Sequence, residues 1–120
     1  MRVLVCGGRH FNDQVSVVDA LNVLAATHGN LTVIEGGATG ADRHARKWAY
    51  YNGHAIQTFQ ADWSKYGRAA GPIRNQQMLD EGKPDLVLAF PGGRGTADMT
   101  NRAKAAGVCV QEVPERGKVS

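Results

Sequence analysis

Three clusters of glycine stand out among the residues that could do chemistry. They are Gly7 and Gly8 followed by Arg9; Gly36, Gly37 and Gly40 followed by Asp42; and the run Pro91, Gly92, Gly93, Arg94, Gly95, Thr96. A backbone without Cβ atoms can bring its N–H groups close to an oxyanion, and a helix starting directly afterwards adds the positive end of its dipole. Arg9 and Arg94 sit inside such turns, where a guanidinium can clamp a phosphate through paired hydrogen bonds or can simply be a solvated loop residue. Glu35 and Asp42 border the second cluster. Either could bind ribose hydroxyls or act as a base, and Asp42 equally reads as an ordinary acid at a helix N-terminus.

Glycine clusters matter only if the elements around them bring them together. Apolar, β-branched runs predict strands at Arg2 to Cys6, Leu31 to Ile34, Ala55 to Phe59, Asp85 to Phe90 and Val108 to Val113. Between them, Val15, Val18, Leu21 and Ala25 recur at helical spacing behind a cap at Asn12 or Asp13, stopping near Gly29. Ala45, Trp48 and Ala49 mark a second helix, from Ala41 or Asp42 to Asn52 and Gly53, with Trp48 expected in the core or at a subunit contact. Gln60 to Gly71 has no period and reads as a long loop. A helix is expected from Pro72 to about Glu81, before Gly82 and Pro84, and another from Ala97 to Ala106. The tail from Glu115 to Ser120 reads as frayed. Five alternations of strand and helix imply an α/β, Rossmann-like, doubly wound parallel sheet, most simply in the order 3-2-1-4-5. In that sheet every glycine cluster follows a strand and lies on one edge, at the crevice where such folds bind ligands.

Composition narrows the function. At 120 residues, 42% hydrophobic and 21% charged, the chain fits a single ordered domain. A formal charge of +3 suits a small phosphate-bearing ligand and falls short of the dense basic stripe of a nucleic-acid binder, so nucleic acid is an unlikely partner by this measure. No run is long enough for a membrane span or signal peptide, so a cytoplasmic location is expected. Cys6 and Cys109 lie in apolar stretches as expected of buried thiols; two strands apart, they are too distant to pair. His10, His28, His44 and His54 have no metal-ligand spacing, so neither metal nor cofactor is expected. Neither G-x-x-x-x-G-K-[ST] nor G-x-G-x-x-G is present, which disfavours the P-loop and ordinary dinucleotide readings. Trp63 and Tyr66 could stack on a base or anchor their loop.

The run Asp85 to Asp98, Asp-Leu-Val-Leu-Ala-Phe-Pro-Gly-Gly-Arg-Gly-Thr-Ala-Asp, resembles the strand and P-G-G-x-G-T turn of the LOG ("lonely guy") phosphoribohydrolases. Gly36 to Asp42, with Asp62, Trp63, Tyr66, Gly67, Ala70, Gly71, Arg74, Asn75 and Met78, resembles a small stand-alone branch of the wider SLOG superfamily, the YspA or YpsA-related branch. The resemblance covers nearly the whole chain. It implies a Rossmann-like domain holding a nucleotide or nucleotide-derived ligand, its phosphate on the P-G-G-x-G-T turn, and a possible homodimer. In LOG enzymes an Arg and a Glu cleave the N-glycosidic bond of a nucleoside monophosphate. Arg74 stands in the place of that Arg, and Met99 in the place of the Glu. A thioether accepts no proton. Asp98 is adjacent but about 100° away around a helix.

Three readings follow. The first is a binding module or sensor for a nucleotide-like phosphate ligand. The second is a nucleoside-monophosphate N-glycosidase using Arg74 with Glu35, Asp42 or Asp98. The third is a single-stranded nucleic acid binder.

Overall fold

The computed structural model describes residues 1–115. Its elements are β1 (Arg2–Cys6), α1 (Gln14–His28), β2 (Thr32–Glu35), α2 (Ala41–Tyr51), β3 (Ala55–Thr58), α3 (Trp63–Tyr66), a 3₁₀ turn (Gly67–Ala69), α4 (Ala70–Gly82), β4 (Leu86–Ala89), α5 (Arg94–Ala105) and β5 (Cys109–Glu112). The strands form one sheet in the order β3-β2-β1-β4-β5, and every pairing is parallel. Successive residues of the central strands point to opposite faces, which explains why these strands are apolar throughout. Val3, Val5, Val33 and Leu88 pack against α1 and α2, through Val17, Leu21, Ala45 and Trp48. Leu4, Cys6, Ile34 and Val87 pack on the other face against Met78 and Leu79 of α4 and Met99 and Ala103 of α5.

Several expectations are corrected. The stretch from Gln60 to Gly71 is not a loop throughout: Asp62 caps α3 by accepting from the Lys65 N–H at 3.1 Å, and the 3₁₀ turn leads directly into α4. One exposed helical turn buries no apolar stripe, so no period marks it. Helix α4 starts at Ala70, ahead of Pro72, which sits in the first turn where its missing N–H is not needed. Helix α5 begins at Arg94, three residues before Ala97, so half of the third glycine cluster is helical. In α1, Asp13 is the cap, accepting from Ser16, and Val15 faces solvent while Val17 and Leu21 are buried. Cys109 is exposed, since β5 is an edge strand; Cys6 is buried, and both thiols are free. Beyond Glu115 the expected frayed tail lies outside the described residues. Among these, no helix is long and apolar enough to cross a membrane.

The turns after β1, β2 and β4 share the sheet's C-terminal edge and are packed together by their backbones. Gly8 donates its N–H to the Pro91 carbonyl at 2.8 Å, while its own carbonyl accepts from Phe11 at 3.1 Å and Ala41 at 3.3 Å. A Cβ on Gly40 would collide with that same Gly8 carbonyl, and one on Gly92 would lie 2.7 Å from the Gly8 nitrogen. Gly40 also holds φ at +72°, as does Gly53, where a Cβ would meet nothing within 4 Å. The pair separates backbone conformation from close approach. Gly53→Ala should cost on the order of 1 kcal/mol, and Gly40→Ala about twice that or more, because the two turns must part. Urea unfolding of both variants checks this; equal losses would mean that the turn contact carries no weight.

Candidate nucleotide-binding crevice

Between the turns after β1 and β4 opens a crevice of about 590 Å³, floored by Cys6 and walled by the start of α5 and by α4. The first helical N–H with an acceptor in α5 is that of Ala97, which donates to the Gly93 carbonyl at 3.1 Å. The N–H groups of Arg94, Gly95 and Thr96 precede it and have no carbonyl of the helix to reach. All three residues line the crevice. A Cβ built on Gly93 or Gly95 would meet no atom within 4 Å, so nothing in the protein's own packing requires glycine there. The other candidate glycines differ. Gly7 would meet the Ala41 Cβ at 2.6 Å, Gly36 would meet the Arg74 guanidinium, and Gly37 has a positive φ beside Gln60. Gly7, with Gly8, Gly40 and Gly92, serves the docking of the turns, whereas Gly36 makes room for Arg74 and Gly37 for Gln60.

Asn75 fastens the helix start in place. Buried in α4, it donates through Nδ2 to the Gly95 carbonyl at 3.2 Å and to the Asp98 carboxylate at 2.9 Å. Asp98 also pairs with Arg102 Nε at 2.8 Å. These partners hold the Asp98 carboxyl below its ordinary range although partial burial pushes it up, and its side chain does not line the crevice. Arg74, next to Asn75, donates to the Gly36 carbonyl at 2.6 Å and lines the crevice together with Arg9 and Arg94. Pro91 and Thr96 complete that wall. His10, Phe11 and Asn75 belong to the lining as well, without having been singled out as ligand contacts from sequence. His10 directly follows Arg9, which was the available signal.

The two acids of the second cluster part company. Glu35 is fully buried and does not line the crevice. Its carboxylate takes the Arg46 guanidinium at 2.5 Å, the Gly37 N–H at 2.9 Å and the Thr58 hydroxyl, contacts that tie β2 to α2 and β3 and engage both of its oxygens away from the crevice. Asp42 does line the crevice, at 6% exposure, accepting from the Gly36 N–H at 3.1 Å and the Ala38 N–H at 3.3 Å. Burial, and then the neighbouring Glu35 charge, push its carboxyl up to about 6. Burial likewise pushes the Cys6 thiol up to about 12, with the Asp42 charge adding to it, so no thiolate forms on the floor. Among the described residues, no group of three or more His, Cys, Asp or Glu could hold a metal ion.

Asp42 gives a pH test. With a folded value near 6 against an ordinary 3.8, its contribution to stability is full below about 3.8 and is lost as pH rises through about 6. Asp42→Asn keeps an oxygen for the Gly36 and Ala38 N–H groups without the charge. Between pH 4 and 7.5 the wild type should therefore lose on the order of 2–3 kcal/mol relative to the variant. Denaturant midpoints across that range check it; parallel curves would contradict the assignment.

Comparison with known proteins accords with this architecture. The family model described as YspA, cpYpsA-related SLOG family matches residues 1–66. Gene 61 protein of Mycobacterium phage D29 is 39% identical over 117 residues, covering 91% of this chain and 93% of the relative. Among solved structures, DNA processing protein A from Streptococcus pneumoniae superposes with a TM-score of 0.78 at 20% identity, over 97% of this chain and 51% of the other. This chain thus spans about half of that protein, and the likeness is one of fold. The matched segment of the family model contains the first two glycine turns and Asp42, and the phage relative extends the match to the third, so the chain belongs to the YspA, cpYpsA-related SLOG family.

Proposed function

We propose that the chain binds a nucleotide or nucleotide-derived ligand by its phosphate at the start of α5, as a binding module or sensor. One observation carries the reading: Arg94, Gly95 and Thr96, whose N–H groups have no hydrogen-bond acceptor among the described residues, line a crevice together with Arg9 and Arg74, and a Cβ on Gly93 or Gly95 would meet no protein atom within 4 Å. Helix N-termini of this kind attract phosphate through their N–H groups and dipole, and the arginines add charge-assisted bonds. Membership of the SLOG family supports the nucleotide class of ligand.

Catalysis has less support. Position 99, where the LOG resemblance requires Glu, is a methionine at 1% exposure, packed with Cys6 and Met78 beneath the crevice floor. Asp98 is engaged by Asn75 and Arg102. The N-glycosidase reading keeps one favourable observation, Asp42, a crevice carboxyl with a value near 6 beside Arg74, suited to proton transfer near neutral pH. Nucleic acid stays in contention too. The modest net charge argued against it, but a fold neighbour is named for DNA processing, and the comparisons lend that exclusion no support.

Gly93→Val adds a branched side chain at the turn where phosphate would approach, its Cβ meeting no protein atom within 4 Å. Calorimetry with AMP and ADP-ribose should show about tenfold or greater loss of affinity, with the melting temperature nearly unchanged. Undiminished affinity in the folded variant would refute the phosphate assignment. Adenine release from AMP should stay at background for the wild type; turnover abolished by Asp42→Asn would establish the glycosidase instead.

A further inference from the structure

On the far side of the Pro91 to Gly93 turn lies a second crevice, of about 610 Å³, between the flank of α5 and the end of β5. It shares Pro91, Gly92, Gly93 and Thr96 with the first crevice. The turn is therefore a saddle between two hollows. Each hollow alone lies within the size range of small-molecule sites.

The two differ in charge. The first gathers Arg9, Arg74 and Arg94 around one carboxyl of raised pKa. In the second, Lys104 is offset by Glu112, and the rest of the lining is polar and uncharged, as Thr100 and Asn101, or apolar, as Val113. An anionic group is favoured on the arginine side and at the saddle, whereas the second hollow suits an uncharged group with hydrogen-bonding edges. From Gly93 to Asn101 the flank of α5 is roughly 12 Å long, enough to accommodate a nucleoside. A nucleoside monophosphate carries its phosphate at one end and would leave one hollow empty.

We infer that the ligand carries its phosphate in the middle, at the start of α5 where the arginine hollow meets the saddle, with one nucleoside-sized group in the remaining space of that hollow and another in the second. This rests on the phosphate reading above and narrows it from nucleotides at large to two-armed ones. A free dinucleotide and an internal step of a single nucleic acid strand share that chemistry.

Calorimetry with AMP, ADP-ribose, adenylyl-adenosine and a short oligo(dA) tests the inference on the wild type, Asn101→Trp and Gly93→Val. Asn101 is exposed and lines only the second hollow, so the bulky variant should fold and fill it. Two-armed ligands should bind the wild type about tenfold or more tightly than AMP, and Asn101→Trp should remove that margin while leaving AMP binding unchanged. In amide NMR spectra the two-armed ligands should move the Asn101 and Val113 signals, and AMP should not. Oligo(dA) binding more tightly than adenylyl-adenosine assigns the ligand to nucleic acid; the reverse order assigns it to a free dinucleotide; both support the inference. Equal affinity for AMP and the two-armed ligands, or a margin that survives Asn101→Trp without shifts at Asn101 and Val113, overturns it while the phosphate site stands. AMP binding untouched by Gly93→Val overturns both.

Discussion

The peptide of Gly8 is where three parts of the fold meet. Its N–H is taken by the turn after β4, and its carbonyl by the residue that begins α2 and by the turn's own Phe11. Backbone hydrogen bonds of this kind tolerate little change in separation, so the starts of α2 and α5 are held at fixed positions relative to β1. The glycines at 8, 40 and 92 are what permit the contact, since a Cβ at any of them would stand within 3.1 Å of a facing backbone atom. The width of the crevice is thus set by main chain, and the side chains around it act on a rigid frame.

On that frame the charges are sorted. Glu35, buried behind the turn after β2, is neutralised by Arg46 and held by Gly37 and Thr58. Its residual negative field falls on Asp42, already penalised by burial, and keeps that carboxyl half-titrated near pH 6. The cations lie across the crevice on the other turns and on α4. A carboxyl kept in a setting that disfavours its charge destabilises the fold at neutral pH.

Much of this was legible in the sequence, because each glycine cluster follows an apolar run and precedes a helix, and parallel topology then puts all three on one edge. Strand order followed from the same alternation. The starts of α4 and α5 were misread since Ala70, Gly71, Gly93 and Gly95 carry no side chains that display a helical stripe. Cys109 looked buried by its apolar neighbours, although the order 3-2-1-4-5 expected from the alternation already makes its strand an edge. The division of the glycines into those that let turns touch and those that leave space is a property of distances between residues remote in sequence, and Arg46, eleven residues from Glu35, gives no local sign of being its partner. Position in a motif also misleads about direction: the side chain of Met99 goes into the core.

The burial of Met99 constrains how this family branch can change. A carboxylate introduced there would be packed among Cys6, Met78 and the sheet, in apolar surroundings that disfavour its charge. An acid at position 99 could face the crevice only with the floor repacked or α5 turned, and intermediates on that route would be less stable than either end. Bringing a carboxylate from position 99 to the crevice is thus separated from the present packing by a barrier in sequence space and not by a single codon.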